Sequence, residues 1–180
     1  MGTSTTLVTV LEFMQLAESN DQPMELIGGE VVTMGSWKVP HEFVKSNLIQ
    51  LLAVWLAQNP IGRLLAESIF RFNEHDALMP DLAILFPGRV QPGSTELICG
   101  APELAIEVVS SEAAERLEQK IELYFAHGSK SVWVVYPKQR VVRIFDAGGQ
   151  SRKFEQNQTI EDPVVLPGFS TPVSAIFEGL

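Results

Sequence analysis

The sequence is poor in cysteine, in long apolar runs and in positive charge, and each shortage excludes a class of protein. Cys99 is the single cysteine among 180 residues, so the chain can form neither an intramolecular disulfide nor a thiolate zinc site. No apolar run approaches the roughly 20 residues that a transmembrane helix needs. The first residues also lack the basic start and apolar stretch of a signal peptide. We therefore expect a cytoplasmic protein that does not associate with membranes.

The charge balance argues against a protein that binds nucleic acid through an overall basic surface. The sequence has 13 Lys and Arg against 22 Asp and Glu, which gives a formal net charge of −9 at pH 7. A local basic groove is still compatible with this balance. Lys138, Arg140 and Arg143 form one basic group and Arg152 with Lys153 another, and together they could line such a groove.

Hydrophobic residues make up 46% of the chain, enough to fill a core, and the length predicts a single domain over residues 1–180. Apolar spacing predicts helices at Thr9–Glu18, His41–Asn59 and Ala113–Ala126, and a hairpin around Gly28-Gly29. Apolar runs predict the strands Leu64–Asn73, Asp81–Phe86, Glu103–Ser110, Ser131–Tyr136 and Arg140–Phe145. This order of elements predicts an α/β (α+β) fold with a mixed β-sheet flanked by helices.

Two acids stand where apolar residues are expected. Glu107 lies within Glu103–Ser110, a run apolar enough to be a central strand, where an unanswered carboxylate costs several kcal/mol. Asp81 follows Pro80, which cannot donate to a sheet ladder and so marks the beginning of the next buried strand. The simpler interpretations are a structural ion pair for Glu107 and a turn or capping residue for Asp81.

A lysine on the following helix is the third unusual residue. With 100° per residue, Lys120 and Arg116 fall on one border of the apolar face formed by Leu117, Ile121 and Phe125. A lone lysine at such a border usually covers the core with its stem while its charge stays in water. Together with Asp81 and Glu107, however, Lys120 forms a set of residues that can carry out a reaction.

Two acids on neighbouring strands and a nearby lysine are what metal-dependent cleavage of phosphodiesters requires. Carboxylate oxygens hold Mg²⁺, which takes only one or two of them and keeps several waters. The metal activates a water, and the lysine orients the nucleophile or stabilises the developing charge. The backbone carbonyl of Val108, which follows the second acid, could complete the metal shell. This pattern predicts Asp81, Glu107 and Lys120 as catalytic residues and Asp81, Glu107 and Val108 as metal ligands.

Several segments carry a family resemblance, and their order and spacing are more specific than any one alone. They are Glu25–Glu30, His41 at the start of the long helix, Pro80-Asp81, Ile106–Ser110, Lys120 with Tyr124, Val132–Pro137 and Leu166–Phe169. On these residues the chain, from Glu25 to its C-terminus, resembles the Uma-two family, whose bacterial members are classed as restriction endonucleases. That family is a branch of the PD-(D/E)XK nuclease superfamily.

The resemblance implies a restriction-endonuclease-like fold, a Mg²⁺-dependent endonuclease site in which Mn²⁺ can substitute, DNA as the substrate, and homodimers. Asp81 would be the first acid and Glu107 the second. Val109 occupies the usual position of the superfamily lysine, so the resemblance implies that the lysine has moved to Lys120. Glu30 is similar to an acid that the family often carries near its site.

Other residues mark neighbours of the site or departures from the family pattern. Tyr124 and Arg116 are candidate neighbours, and so is His41, although a histidine near a helix N-terminus is more often structural. Family members usually have Pro after the first Ser of the loop that follows the second strand, and Asp four residues before the lysine. Here Ser111-Glu112 and Arg116 stand there instead. Arg116 could replace an acid with a phosphate contact, or could mark a site that is no longer used.

Three functions are compatible with these residues. The first is a Mg²⁺-dependent DNA endonuclease. The second is a nuclease-fold dimer that no longer cuts and acts as a binding or assembly module. The third is a metal-dependent enzyme for a small nucleotide or another phosphate ester, for which an acidic surface is no handicap. No P-loop or G-x-G-x-x-G motif supports a nucleotide-binding fold of those types.

Overall fold

The computed structural model describes residues 7–35, 38–90, 97–110 and 114–180. The helices are α1 (Val10–Glu18), α2 (Val39–Gln58), α3 (Ala114–Ala126) and the short α4 (Val173–Ile176). The strands are β1 (Met24–Ile27), β2 (Glu30–Thr33), β3 (Arg63–Ala66), β4 (Phe70–Arg71), β5 (Ala77–Leu78), β6 (Leu82–Leu85), β7 (Ile98–Cys99), β8 (Leu104–Val108), β9 (Ser131–Tyr136), β10 (Val141–Asp146), β11 (Ser151–Glu155), β12 (Thr159–Asp162) and β13 (Leu166–Pro172). Within these ranges, no helix is both long and apolar enough to cross a membrane.

The N-terminal helix and hairpin form where the sequence predicts them. Thr9 and Glu12 make a capping box at the start of α1: the Thr9 Oγ1 accepts from the Glu12 N–H at 3.4 Å, and the Glu12 carboxylate accepts from the Thr9 N–H at 2.8 Å. Gly28 and Gly29 join β1 to β2 with φ of +57° and +77°, a left-handed pair that suits a two-residue hairpin turn. This turn fixes β1 against β2.

The described strands form three sheets, and the largest carries the predicted acids. Its order is β11-β10-β9-β8-β6-β3, in which β8 and β9 are parallel and every other pair is antiparallel. Helix α3 connects the two parallel strands, as a crossover between parallel neighbours requires. The central position of β8 explains why all five of its residues are buried.

Each face of this sheet is covered by a different helix. Helix α2 packs its stripe Val44, Leu48, Leu52 and Leu56 on one face, together with residues of β12, β13 and α4. Helix α3 packs Leu117 and Tyr124 on the opposite face. Since successive strand residues point to opposite faces, the apolar neighbours of Glu107 face α2 and Glu107 itself faces α3.

The second sheet has the order β2-β1-β5-β4-β7, and β12 pairs with β13 in a third. Ile27 and Leu78 of the second sheet pack in the same cluster as Ala105 and Tyr124. The beginning of β6, the end of β8, α3 and β1 therefore meet in one region of the molecule.

The predicted strand Leu64–Asn73 is wrong, because the chain divides it between two sheets. β3 pairs with β6 in the large sheet, whereas β4 pairs with β5 and β7 in the second. Glu67 lies between them in the left-handed region, with φ of +48°. A residue in the left-handed region interrupts an extended strand. The alternation of apolar residues continues on both sides of Glu67, so the sequence pattern does not show that the chain bends there. The other predicted helices and strands are present, and their described ends are at most two residues from the predicted ones; Ala113, the predicted start of the third helix, lies outside the described residues.

Candidate active site

Asp81 lies immediately before β6 and faces the end of β8. Pairing of Leu82 with Ile106 places it beside the last residues of that strand. Its Oδ2 accepts the Val108 N–H at 2.7 Å, and only 3% of the residue is exposed. A strand residue directs its N–H and C=O toward the same side, so the Val108 carbonyl also points toward Asp81. The structure thus brings together the first predicted acid and the predicted carbonyl.

Glu107 is buried on the α3 side of β8, with both carboxylate oxygens engaged. Its Oε1 accepts the Tyr124 hydroxyl at 2.6 Å, and its Oε2 accepts the Lys120 ammonium at 2.9 Å. Lys120 and Tyr124 are four residues apart on α3 and so lie on the same face of the helix. The structure therefore places these three predicted residues in one cluster.

Lys120 is not at the border of the apolar face, as the helical spacing predicts, but fully buried within it. Its ammonium lies 3.0 Å from Glu25 Oε1 and 2.9 Å from Glu107 Oε2, so two acids surround the buried lysine. Arg116, predicted on the same border, is exposed. Spacing on a helix cannot separate the two cations, because the difference lies in the acids that face each one. Ser111 and Glu112, the other departures from the family pattern, lie outside the described residues.

Glu25 is the site residue that sequence reasoning missed. It is 1% exposed on β1, and its Oε1 lies 3.0 Å from the Lys120 ammonium and accepts the Met79 N–H at 2.9 Å. Glu30, the hairpin acid that was predicted near the site, is exposed on β2 opposite Ile27. A signal for Glu25 was present, because it is a lone acid in an apolar strand, as Glu107 is.

His41 is a direct neighbour of Asp81. Its Nε2 lies 2.9 Å from Asp81 Oδ1, and its Nδ1 lies 3.0 Å from Glu42 Oε1. Burial works to lower the pKa of His41, but the hydrogen bonds and charges of Asp81 and Glu42 outweigh it, so the pKa is raised. Asp81 and Glu42 therefore favour the protonated, positively charged form of His41.

Several opposing effects set the pKa of Glu107. Burial raises its pKa most, the positive charge of Lys120 lowers it, and repulsion by Glu25 and Asp81 raises it again. The Tyr124 hydrogen bond adds a smaller lowering, and the result is a pKa of about 8. Glu107 is thus poised to exchange its proton near neutral pH, which is common at functional sites.

The donor set suits a hard divalent cation. Glu107 and Asp81 are both buried acids, and repulsion by the negative charges of Asp81 and Glu25 helps to raise the pKa of Glu107. A bound cation would relieve that repulsion. In the part of the chain that the structure describes, no three His, Cys, Asp or Glu side chains are grouped so as to hold a metal by themselves. Mg²⁺ is suited to such a site because it needs only one or two carboxylates and keeps its waters.

A row of paired residues leads from Glu107 to two exposed cations. Glu107 pairs with Val134, Val134 with Arg143, and Arg143 with Lys153, across β8, β9, β10 and β11. Paired residues share a face of the sheet, and strands lie about 4.8 Å apart, so Arg143 is about 10 Å from Glu107 along the row. Both cations are exposed, and Lys153 also pairs with Glu155 at 2.8 Å.

The mixed sheet between helices gives this protein a nuclease-like fold. A crystal structure of "a putative nuclease belonging to DUF820" from Anabaena variabilis has this fold, with a TM-score of 0.83 at 19% identity over 94% of this chain and 97% of that chain. The model of the Uma2 family, described as "Putative restriction endonuclease", matches residues 10–174. The chain therefore belongs to the Uma2 family, and the predicted family and fold class are confirmed. No curated protein matches the sequence.

Proposed function

We propose that this protein is a Mg²⁺-dependent endonuclease that hydrolyses phosphodiester bonds in DNA. The observation that carries the proposal is the burial of two acids, one immediately before β6 and one on β8, in the same region as a lysine of α3. Asp81 contacts Val108 at the end of β8, and Glu107 of the same strand contacts Lys120. Membership of the Uma2 family supports the same chemistry.

Asp81 and Glu107 would hold the cation, with the Val108 carbonyl as a further oxygen ligand. A bound divalent cation supplies an acidified water and neutralises charge on the scissile phosphate. Lys120 places a positive charge beside Glu107, where it would stabilise negative charge developing on the phosphate. Tyr124 donates its hydroxyl proton to Glu107 in a hydrogen bond and so fixes the orientation of that carboxylate.

The exposed cations of the cross-strand row support a polymeric substrate over a small nucleotide. Arg143 and Lys153 are about 10 and 14 Å from Glu107 along the row, which is the distance of one or two nucleotides along a backbone. A mononucleotide bound at the acids is too short to reach them, whereas a DNA strand is long enough; because Val134 between them is buried under α3, the strand would have to reach the cations over the surface. Phosphate contacts at this distance would supply part of the affinity that the net charge of −9 opposes.

A second candidate is a nuclease-fold module that binds or assembles without cutting, and one observation favours it. All four carboxylate oxygens of Asp81 and Glu107 already have a protein partner: His41, Val108, Lys120 or Tyr124. A cluster in which every carboxylate oxygen already has a hydrogen-bond partner is also typical of a structural ion-pair network. In this alternative the homodimer would be the functional unit and the acids would bind no metal.

Calorimetric titration of Mg²⁺ and Mn²⁺ into the purified protein separates the two candidates. Asp81→Asn and Glu107→Gln should each abolish binding, while Glu30→Gln, which changes an exposed acid of the β1–β2 hairpin, should bind as wild type does. Supercoiled plasmid should then be nicked in Mg²⁺ by wild type and not by the two site variants. A wild-type protein that binds neither metal and leaves the plasmid intact would favour the module.

Light scattering on the same sample tests the proposed homodimer. A mass near twice 19.9 kDa would agree with it. The single nuclease domain over residues 1–180 is likewise a prediction, which one cooperative unfolding transition would support.

A further inference from the structure

Asp81 belongs to a closed ring of interactions that the proposed chemistry does not use. Its carboxylate contacts His41, His41 contacts Glu42, Glu42 contacts Lys45, and Lys45 contacts Glu67. The Glu67 N–H then returns to the Asp81 carbonyl at 3.2 Å. The ring joins the first turns of α2 to the bend between β3 and β4, and both to the start of β6.

The ring holds the Asp81 carboxylate from two directions. Oδ1 contacts the His41 Nε2 at 2.9 Å, and Oδ2 accepts the Val108 N–H at 2.7 Å. These partners come from different elements, α2 and β8, so the carboxylate cannot rotate without losing a buried hydrogen bond. One lone pair on each oxygen is left for another partner.

His41 is itself held by its second nitrogen. Glu42 Oε1 lies 3.0 Å from Nδ1, and the same carboxylate contacts the Lys45 ammonium at 3.0 Å. Lys45 reaches on to Glu67 at 2.7 Å. Glu67 is a non-glycine residue in the left-handed region, a conformation that proteins keep where the surrounding structure requires it.

We infer that His41 is the positioning residue for Asp81: anchored by Glu42, it fixes the orientation in which the Asp81 carboxylate would bind a cation. The inference rests on the proposed function, since it assigns a role toward the metal that Asp81 would bind. When a residue donates a hydrogen bond to a metal-binding carboxylate without itself binding the metal, its substitution typically lowers metal affinity by about 10- to 100-fold.

Two substitutions of His41 separate positioning from packing. In His41→Gln the amide nitrogen reaches approximately the place of Nε2, so a donor to Asp81 is kept. In His41→Asn the amide reaches only the place of Nδ1, so contact with Glu42 is kept and the donor to Asp81 is lost. The probe is Mn²⁺ alone, titrated calorimetrically into the metal-free full chain, with circular dichroism and thermal unfolding recorded on each variant.

We expect His41→Asn to weaken Mn²⁺ binding about 10-fold or more and His41→Gln to stay within about 3-fold of wild type. Equal losses in both variants would overturn the inference, because packing alone would then explain them. No loss in either would overturn it as well. These outcomes differ from failure of the proposed function, in which wild-type protein itself would not bind Mn²⁺.

A third variant covers the case in which His41→Asn does not fold. Glu42 keeps 45% of its side chain exposed, so Glu42→Ala should fold while removing the anchor of His41. It should weaken Mn²⁺ binding several-fold, whereas Glu122→Ala, which removes an exposed acid from α3, should leave it unchanged. Equal affinity in the two alanine variants would show that anchoring His41 has no effect on the site.

Discussion

Lys120 and Glu25 form a buried ion pair, with 3.0 Å between the ammonium nitrogen and Oε1. The pair joins α3, which packs on the large sheet, to β1 of the second sheet. Each residue is at most 1% exposed. A buried charge is tolerated only when it is paired and hydrogen-bonded, so each of these residues depends on the other.

Glu25→Ala should destabilise the protein strongly, whereas Glu30→Ala should not. Removing one partner of a buried pair typically costs about 3 to 5 kcal/mol, because the remaining charge is left with less compensation. Glu30 is exposed at the other end of the same hairpin, where substitutions usually change stability by no more than about 0.5 kcal/mol. Urea unfolding followed by tryptophan fluorescence measures both. Similar midpoints for the two variants would contradict the role of Glu25.

The stability of the metal-free protein should fall as the pH rises from about 5 to about 8. The pKa of Glu107 is raised from 4.5 to about 8, so between these values the folded chain holds a proton that the unfolded chain releases. The stabilisation is fully present below pH 4.5 and is lost as the pH passes through 8. His41, whose pKa is also raised, contributes in the same direction.

Glu107→Gln isolates the part of this pH dependence that belongs to Glu107. The variant keeps His41, so the difference between the two curves reports the carboxyl group alone. Its stability should therefore fall less steeply than that of wild type between pH 5 and pH 8. Urea midpoints at four pH values give both slopes, and parallel curves would place the pKa of Glu107 near its ordinary value.

Mn²⁺ binding should release a proton below pH 8. Because the pKa of Glu107 is about 8, its carboxyl group is protonated at neutral pH and must ionise to bind a metal. Affinity should then rise about 10-fold per pH unit up to pH 8 and level off above it. Calorimetry in buffers of different ionisation enthalpy counts the protons. A heat that is independent of the buffer at pH 7 would mean that Glu107 is already ionised or does not bind the metal.

Replacing Arg143 and Lys153 together by Gln should weaken DNA binding and reduce its salt dependence. Each lost phosphate contact lowers the slope of log affinity against log salt by about 0.9, so the double variant should lose nearly 2. A fluorescent duplex in metal-free buffer gives the slope without cleavage. Lys130→Gln is the control, because Lys130 is an exposed cation that precedes β9 and packs over the Phe86 ring. Equal slopes for wild type and the double variant would remove the row from the DNA interface.

Much of the fold followed from local sequence patterns. The Thr9 capping box, the Gly28-Gly29 turn and the stripe of α2 all depend on residues within a few positions of one another. Asp81 and Glu107 were recognisable for a similar reason, because each is an acid in or beside an apolar strand, whereas Lys120 was recognised by its place at the border of the apolar face of a helix. The short strands β5 and β7 were not predicted, because two residues are too few to show the alternation of apolar and polar residues that indicates a strand.

The C-terminal strands and the partners of the site residues were decided by tertiary structure. β11 is exposed along nearly its whole length, so it has no strong apolar alternation. Glu25 and Glu30 share one face of the β1–β2 hairpin, so the choice between them depends on position along the hairpin: Glu25 reaches Lys120, whereas Glu30 is exposed beside the turn. The burial of Lys120 rather than Arg116 depends on the acids opposite it.

The sequence by itself therefore determined which residues are exceptional, because the cost of a charge in an apolar segment is visible locally. Only the tertiary structure decided how each charge is compensated. Lys120 lies between Glu25 and Glu107, and Asp81 is held by His41, through contacts between elements far apart in the chain. Such contacts arise from the packing of whole sheets and helices, and no short stretch of sequence encodes them.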